Sequence, residues 1–315
     1  MKVKPSAIKE TIFSHPEFTG YSEQLALVFT NWKNEVYTTL SNINESTAPK
    51  NFIFEISEQL IKNYTKKPLI DTYDMYQHIM DYWNETLKDD VYLVVEDGWK
   101  ANVRRIVETN KKTGKQIDKG WICDLLPKQL IIDAYFSKEQ QAILELEATI
   151  ENIQTELTTY EEEHCGEEGL LEEAANDTGK ITKTTLTKRL KEVKGDASEK
   201  DAYKLMLAIE KLFTKNVEVK KQLKVKLAEL ETTTLKKYSE LNEAEVKTLV
   251  IDAKWLTTLN TNIQTEIDAI SQRLTSRVKE LAERYENTLT QLETTTKAEE
   301  DKVKLHLQKM GLQWN

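Results

Sequence analysis

The chain has 315 residues, of which 39% are hydrophobic and 31% charged, with a net charge of −9. That is too polar for one large compact globule and too aromatic for a disordered chain. The acidic total excludes a whole-protein pull on DNA or anionic membranes and leaves only local basic patches to make such contacts. Nine glycines and five prolines predict long uninterrupted helices, because these residues punctuate them. No run of eighteen apolar residues is present, and MKVKPSAIKE has no signal-peptide core. Cys123 and Cys165 stand alone, without metal-ligand spacing. The expectation is a reduced cytoplasmic protein with no membrane partner and no metal site.

Residues 1–137 read as a mixed α+β domain. Tyr21, Leu25, Val28, Trp32, Val36 and Leu40 form one helical stripe. Phe52, Ile56, Leu60 and Tyr64 form a second, closed before Pro68. Tyr76, Ile79, Met80, Trp83 and Leu87 form a third. Next comes VYLVV at 91–95, β-branched and aromatic, which predicts a strand. The segment VRRIVETNKKTGKQI reads as a strand, a turn and a return strand, with WICDLL (121–126) as a third. Tyr76, Trp83, Tyr92 and Trp99 are then core residues linking helix to sheet. Asp89–Asp90 and Glu96–Asp97 read as solvated turn residues.

Residues 138–315 read as a long, antiparallel, coiled-coil-like hairpin or bundle with a tip near 164–200, so the chain as a whole is mainly α. Ile143, Leu146, Ile150, Ile153, Leu157 and Tyr160 keep a strict heptad seam. Leu205, Ile209, Leu212, Asn216, Val219 and Leu223 form a second, with Asn216 as a polar register residue. Residues 139–163 hold eight glutamates and no Lys or Arg, whereas 204–226 hold seven lysines and two glutamates. Complementary arms of one hairpin are the simplest reading. LTKRLKEV predicts a short helix at the tip. A third long helix is expected over 243–290, its stripe of Ile263, Ile267, Ile270, Leu274, Val278, Leu281 and Tyr285 following an eleven-residue repeat. A last helix is expected near 297–310, stopped by Gly311.

Chemistry-bearing motifs are sparse. His78 has Asp74 four positions before it on one helix face, but two ligands do not make a metal site, and a histidine bonded to a carboxylate is the expectation. An enzyme centred on Asp74, His78 and Asp81 is the weakest of three readings. No serine-nucleophile motif, HExxH, P-loop, EF-hand loop or GxGxxG occurs. Two basic groups are candidates for DNA backbone contact: Arg104, Arg105, Lys111 and Lys112 on the hairpin, and Lys183, Lys188 and Arg189 near the tip. The stripe Trp255, Leu259, Ile263, Ile267 and Ile270 is the candidate partner-binding surface, against burial within the chain's own bundle.

Five blocks carry a resemblance: DTYDMYQHIMDYWNETLKDDVYLVVEDGW, GWICDLLPKQLIIDAYF, EEEHCGEEGLLEEAANDTGKITKTTLTKRLKEV, VKTLVIDAKWLTTLNTNI and RVKELAERYENTLTQLE. In that order they resemble the C-terminal region of the long-form modification subunit of type I restriction–modification systems, over about residues 50 to 310. The family is an adenine-N6 DNA methyltransferase using S-adenosylmethionine. Its partners are a specificity subunit that reads DNA and a restriction subunit. Its catalytic motif, Asn/Asp-Pro-Pro-Tyr/Phe, has no counterpart here, because Pro5, Pro16, Pro49, Pro68 and Pro127 are never adjacent. No catalytic or cofactor-binding residue carries over. The resemblance therefore implies a non-catalytic assembly region, from a fragment or a split gene, which reaches DNA through the complex. A sequence-independent DNA clamp is the alternative.

Overall fold

A computed structural model of the chain describes residues 8–109, 114, 116–166, 169–176, 178–196, 198–285 and 287–312. The protein is mainly α-helical with one small two-stranded antiparallel sheet. It divides into two compact units, one of Met1–Gly98 with Ile251–Asn315 and one of Trp99–Val250. The boundary expected at 137/138 is thus replaced by two, at 98/99 and 250/251. The sheet belongs with the helical hairpin, and the long C-terminal helix supplies core to the N-terminal helices.

In the first unit, α1 (Ile8–Phe13), α2 (Pro16–Ser41), α3 (Pro49–Tyr64) and α4 (Thr72–Tyr82) come in succession. Pro16 and Pro49 each stand in a helix's first turn, where a missing N–H costs nothing. Asp71 caps α4 by accepting from the Tyr73 N–H at 2.9 Å. Leu25, Trp32, Val36 and Leu40 of α2 and Phe52, Ile56, Leu60 and Tyr64 of α3 are buried, as their stripes predict. The Trp32 indole donates to the Ile56 carbonyl at 3.1 Å inside this core.

The predicted strand at 91–95 is instead helix. After α4 the chain passes through a π-helical segment, Trp83–Leu87, and continues as α5 (Lys88–Asp97). Ile79, Trp83, Leu87 and Val91 are all buried. Three consecutive steps of four residues would drift about 120° around a regular α-helix. One turn of i→i+5 bonding absorbs the extra residue and keeps all four on one face. Val91 and Val94 then meet the core at helical spacing, which outweighs their preference for strand. Tyr92 lies on the opposite face and is exposed, contrary to its expected core role. Gly98, with φ of +75°, closes α5 by donating to the Val94 carbonyl, a left-handed position suited to glycine.

In the second unit, β1 (Val103–Thr109) pairs with β2 (Gln116–Cys123), with a bulge between Arg105 and Val107. Trp121–Cys123 is the end of β2, so the sheet has two strands, and Leu125 and Leu126 are buried in the link to α6 (Lys128–Tyr135). Two long helices follow, α7 (Ser137–His164) and α9 (Lys200–Glu240), at about 42 and 61 Å by helical rise. They pack antiparallel. The end of α7 (Leu157, Tyr160) and the start of α9 (Tyr203, Leu205) meet at the tip, while Lys128 of α6 reaches Glu231 of α9 at 2.6 Å. All twelve heptad positions are buried or half-buried, so the seam is as predicted. The charges are not. Among the described residues no ion pair joins the acidic arm to the basic arm; Lys204 and Lys226 pair within α9 itself. The seam occupies the facing positions, leaving the lysines and glutamates to solvent.

Asn216 sits in this seam with its side-chain oxygen buried and without a hydrogen-bond partner among the described residues. A buried unpaired acceptor costs about 1–3 kcal/mol. Asn216→Leu is therefore expected to raise hairpin stability by about 1–2 kcal/mol in urea unfolding, at the expense of register specificity. Unchanged or lower stability would refute this account.

The long C-terminal run consists of α10 (Glu243–Thr248), a π-helical segment (Leu249–Leu256) and α11 (Thr257–Arg284). Its last helix, α12 (Leu289–Lys309), begins earlier than composition suggests. Thr288 and Gln291 form a reciprocal capping box there, and Gly311 follows the helix at φ +77°.

Candidate functional site

Trp255, Leu259, Ile263 and Ile267 are core residues, with Trp255 only 1% exposed, and Ile270 is half-buried. As a partner-binding surface the stripe is corrected: the first unit's own helices cover it. The eleven-residue pattern also splits in two. Its first half is packed, while Val278, Leu281 and Tyr285 are exposed, Tyr285 at 72%.

What anchors this run is an ion pair. The Lys254 ammonium lies 2.7 Å from one Asp90 oxygen and 2.8 Å from the other, and the Trp255 indole donates to the same carboxylate at 2.7 Å. Asp90 is therefore buried rather than a solvated turn residue. Burial pushes its carboxyl above the ordinary value, opposed by Lys254 and Trp255. Each π-helical segment lies within three residues of this contact. Nearby, Lys33 pairs with Asp252 at 2.7 Å, and the Tyr37 hydroxyl donates to Asp252 at 3.2 Å.

His78 meets a carboxylate, but from another helix. Its Nε2 lies 3.7 Å from Glu266 of α11 rather than against Asp74, and Asp81 accepts from Gln77 at 2.6 Å. Among the described residues no three His, Cys, Asp or Glu side chains are placed to hold a metal ion.

The basic candidates separate clearly. Arg104 holds Asp124 through two hydrogen bonds, at 2.7 and 2.9 Å, and Arg105 holds Asp118 at 2.6 Å. Their charges are matched across the hairpin, which lowers their value for phosphate. Lys111 and Lys112 lie outside the described residues. Arg189 faces inward, joining Glu173, Glu192 and Glu199 around the base of the tip. Its charge is shared among three carboxylates of the tip. Lys183 and Lys188 are exposed on α8 (Lys183–Glu192), the tip helix, which is longer than the predicted segment.

The tip is a small core of its own. Leu171, Ile181, Leu186, Leu190, Val193, Met206 and Ile209 are buried together under Leu157 and Tyr160. Thr182 and Thr185 form a capping box that starts α8. The loop entering the tip is tight at Gly169, where an added Cβ would lie 2.2 Å from the His164 carbonyl oxygen.

At the other end of the chain, α12 buries none of its residues. Leu289, Leu292, Val303, Leu305 and Met310 are all exposed. Helices in proteins draw most of their stability from packing an amphipathic face, so a helix with its apolar side chains uncovered calls for a partner.

Fold and surfaces together define a mainly helical protein with a tipped two-helix arm and an uncovered amphipathic helix. Comparisons with protein-family models, curated proteins and solved structures found no match to this chain. No helix among the described residues is long and apolar enough to cross a membrane.

Proposed function

We propose that this chain is an assembly region of a type I restriction–modification modification subunit, acting in the cytoplasm and docking to the specificity subunit through α12 and the exposed end of α11. The observation that carries this reading is α12, a capped 21-residue helix that presents its leucines to solvent. The resemblance of the five sequence blocks supplies the identity of the partner, a specificity subunit whose helices would complete a bundle. Restriction subunit and DNA would join through that complex. S-adenosylmethionine chemistry would belong to the domain upstream in the family, and no residue of this chain is assigned to it.

Helix-in-groove docking of this kind is read as a small set of apolar anchors. Val278, Leu281, Leu289 and Leu292 are those anchors here. Co-expression with the specificity subunit of the same operon, followed by light scattering after size exclusion, tests the reading. A complex that persists in high salt is expected. Leu281→Asp with Leu292→Asp is expected to abolish it while leaving the melting temperature unchanged. Separate elution of the two proteins would refute the proposal.

A further inference from the structure

We infer that the outward face of α8 is a sequence-independent contact for the phosphate backbone of double-stranded nucleic acid, made by Lys183, Lys188 and Lys191 with Thr184. This goes beyond the assembly reading and does not rest on it. At 100° per residue, Lys183, Thr184, Thr187, Lys188 and Lys191 fall within an arc of about 140°. Leu186, Leu190 and Val193 fall outside that arc and are buried in the tip core. The three lysines span about 12 Å along the helix. With Thr184 and Thr187 they line one shallow concavity.

These charges are uncommitted. Lys183, Lys188 and Lys191 are exposed, and none joins an ion pair among the described residues. Three of the tip's carboxylates, Glu173, Glu192 and Glu199, are engaged by Arg189. Residues 178–200 carry seven basic side chains against three acidic ones, in a protein of net charge −9. The eight glutamates of residues 139–163, on the adjoining arm, would repel a polyanion and confine it to the tip.

The composition of the face selects its partner. Protein interfaces centre on aromatic or apolar anchors and are poor in lysine, and this face carries three lysines and two threonines with Glu192 at its edge, a carboxylate already facing Arg189. A membrane-binding helix turns its apolar side outward, whereas that of α8 is buried. Single strands are held on aromatic platforms, absent from these positions. A lone phosphate wants donors converging on one point, while a row of lysines matches the charge lattice of a duplex, about one charge per 1.7 Å of axis. Point-charge lysines with a hydroxyl fix position and read no bases.

The test is fluorescence anisotropy of the full chain with a random-sequence duplex of about 20 base pairs, over a range of salt concentrations. Three phosphate contacts predict that Lys183→Gln, Lys188→Gln and Lys191→Gln together make the slope of log affinity against log salt shallower by about 2–3. Affinity at low salt should fall roughly tenfold or more. The charge-matched control, Lys236→Gln, Lys279→Gln and Lys302→Gln, should bind as wild type, and arginine at the three α8 positions should restore binding. Absence of duplex binding by the wild type at low salt would overturn the inference. So would an unchanged slope in the α8 variant, or an equal loss in the control.

Discussion

Replacing Asp90 with alanine is expected to cost about 3–5 kcal/mol, because it breaks a buried ion pair by removing one partner. Lys254 and Trp255 both lose this carboxylate at once. Taking out both charges, as Asp90→Leu with Lys254→Met, should cost less than Asp90→Ala alone, since both members of the pair are then replaced by apolar groups. Chemical denaturation of the three proteins decides this: a double variant as unstable as the single one would show that the ion pair is not the cause. The pH dependence follows from the raised Asp90 carboxyl. A carboxyl that binds its proton more tightly in the folded state contributes stability fully below its unfolded value, about pH 3.9, and loses it as pH rises through the folded value. Relative to the double variant, the wild type should therefore lose stability across that window.

Leu259→Ala and Ile263→Ala should each cost about 2–5 kcal/mol, the usual range for emptying a buried aliphatic site. Leu281→Asp and Leu292→Asp, at exposed positions of the C-terminal helices, should change stability by no more than about 0.5 kcal/mol. The contrast matters because sequence spacing makes one continuous stripe of residues that serve two purposes. If the first pair proved harmless to folding, the packing of α11 described above would be wrong.

Local periodicity was a sufficient guide wherever one helix face met one core. The stripes of α2 and α3 and both heptad seams are buried or half-buried where their spacing places them. It failed where a distant residue decided the outcome. Asp89–Asp90 looks like a turn because two adjacent acids normally are solvated, and nothing near them announces Lys254, 164 positions away. VYLVV looks like a strand because β-branched residues fit a pleated surface. The buried residues at every fourth position from Ile79 to Val91 were the available signal for a π turn. Composition misled in a different way: eight glutamates on one arm and lysines on the other suggested pairing, but the seam holds the facing positions and the charges point elsewhere. For the candidate site, clusters of arginine could be located but not their partners. The carboxylates that occupy Arg104, Arg105 and Arg189 come from β2 and its end and from the tip's own loops.

The division of the chain also imposes an order on its synthesis. The first unit is interrupted by residues 99–250, a contiguous stretch of 152 that makes up the second. At about 5–20 residues per second, the ribosome needs about 8 to 30 s to cross that stretch. Throughout that interval Asp90 has no Lys254, and the face of α4 that awaits α11 stands open to chaperones. The hairpin unit, one continuous stretch of chain, can close as it emerges. A nascent chain stalled before Trp255 would thus hold a finished second unit while the first is still open, and quality control would meet the protein from its N-terminal end.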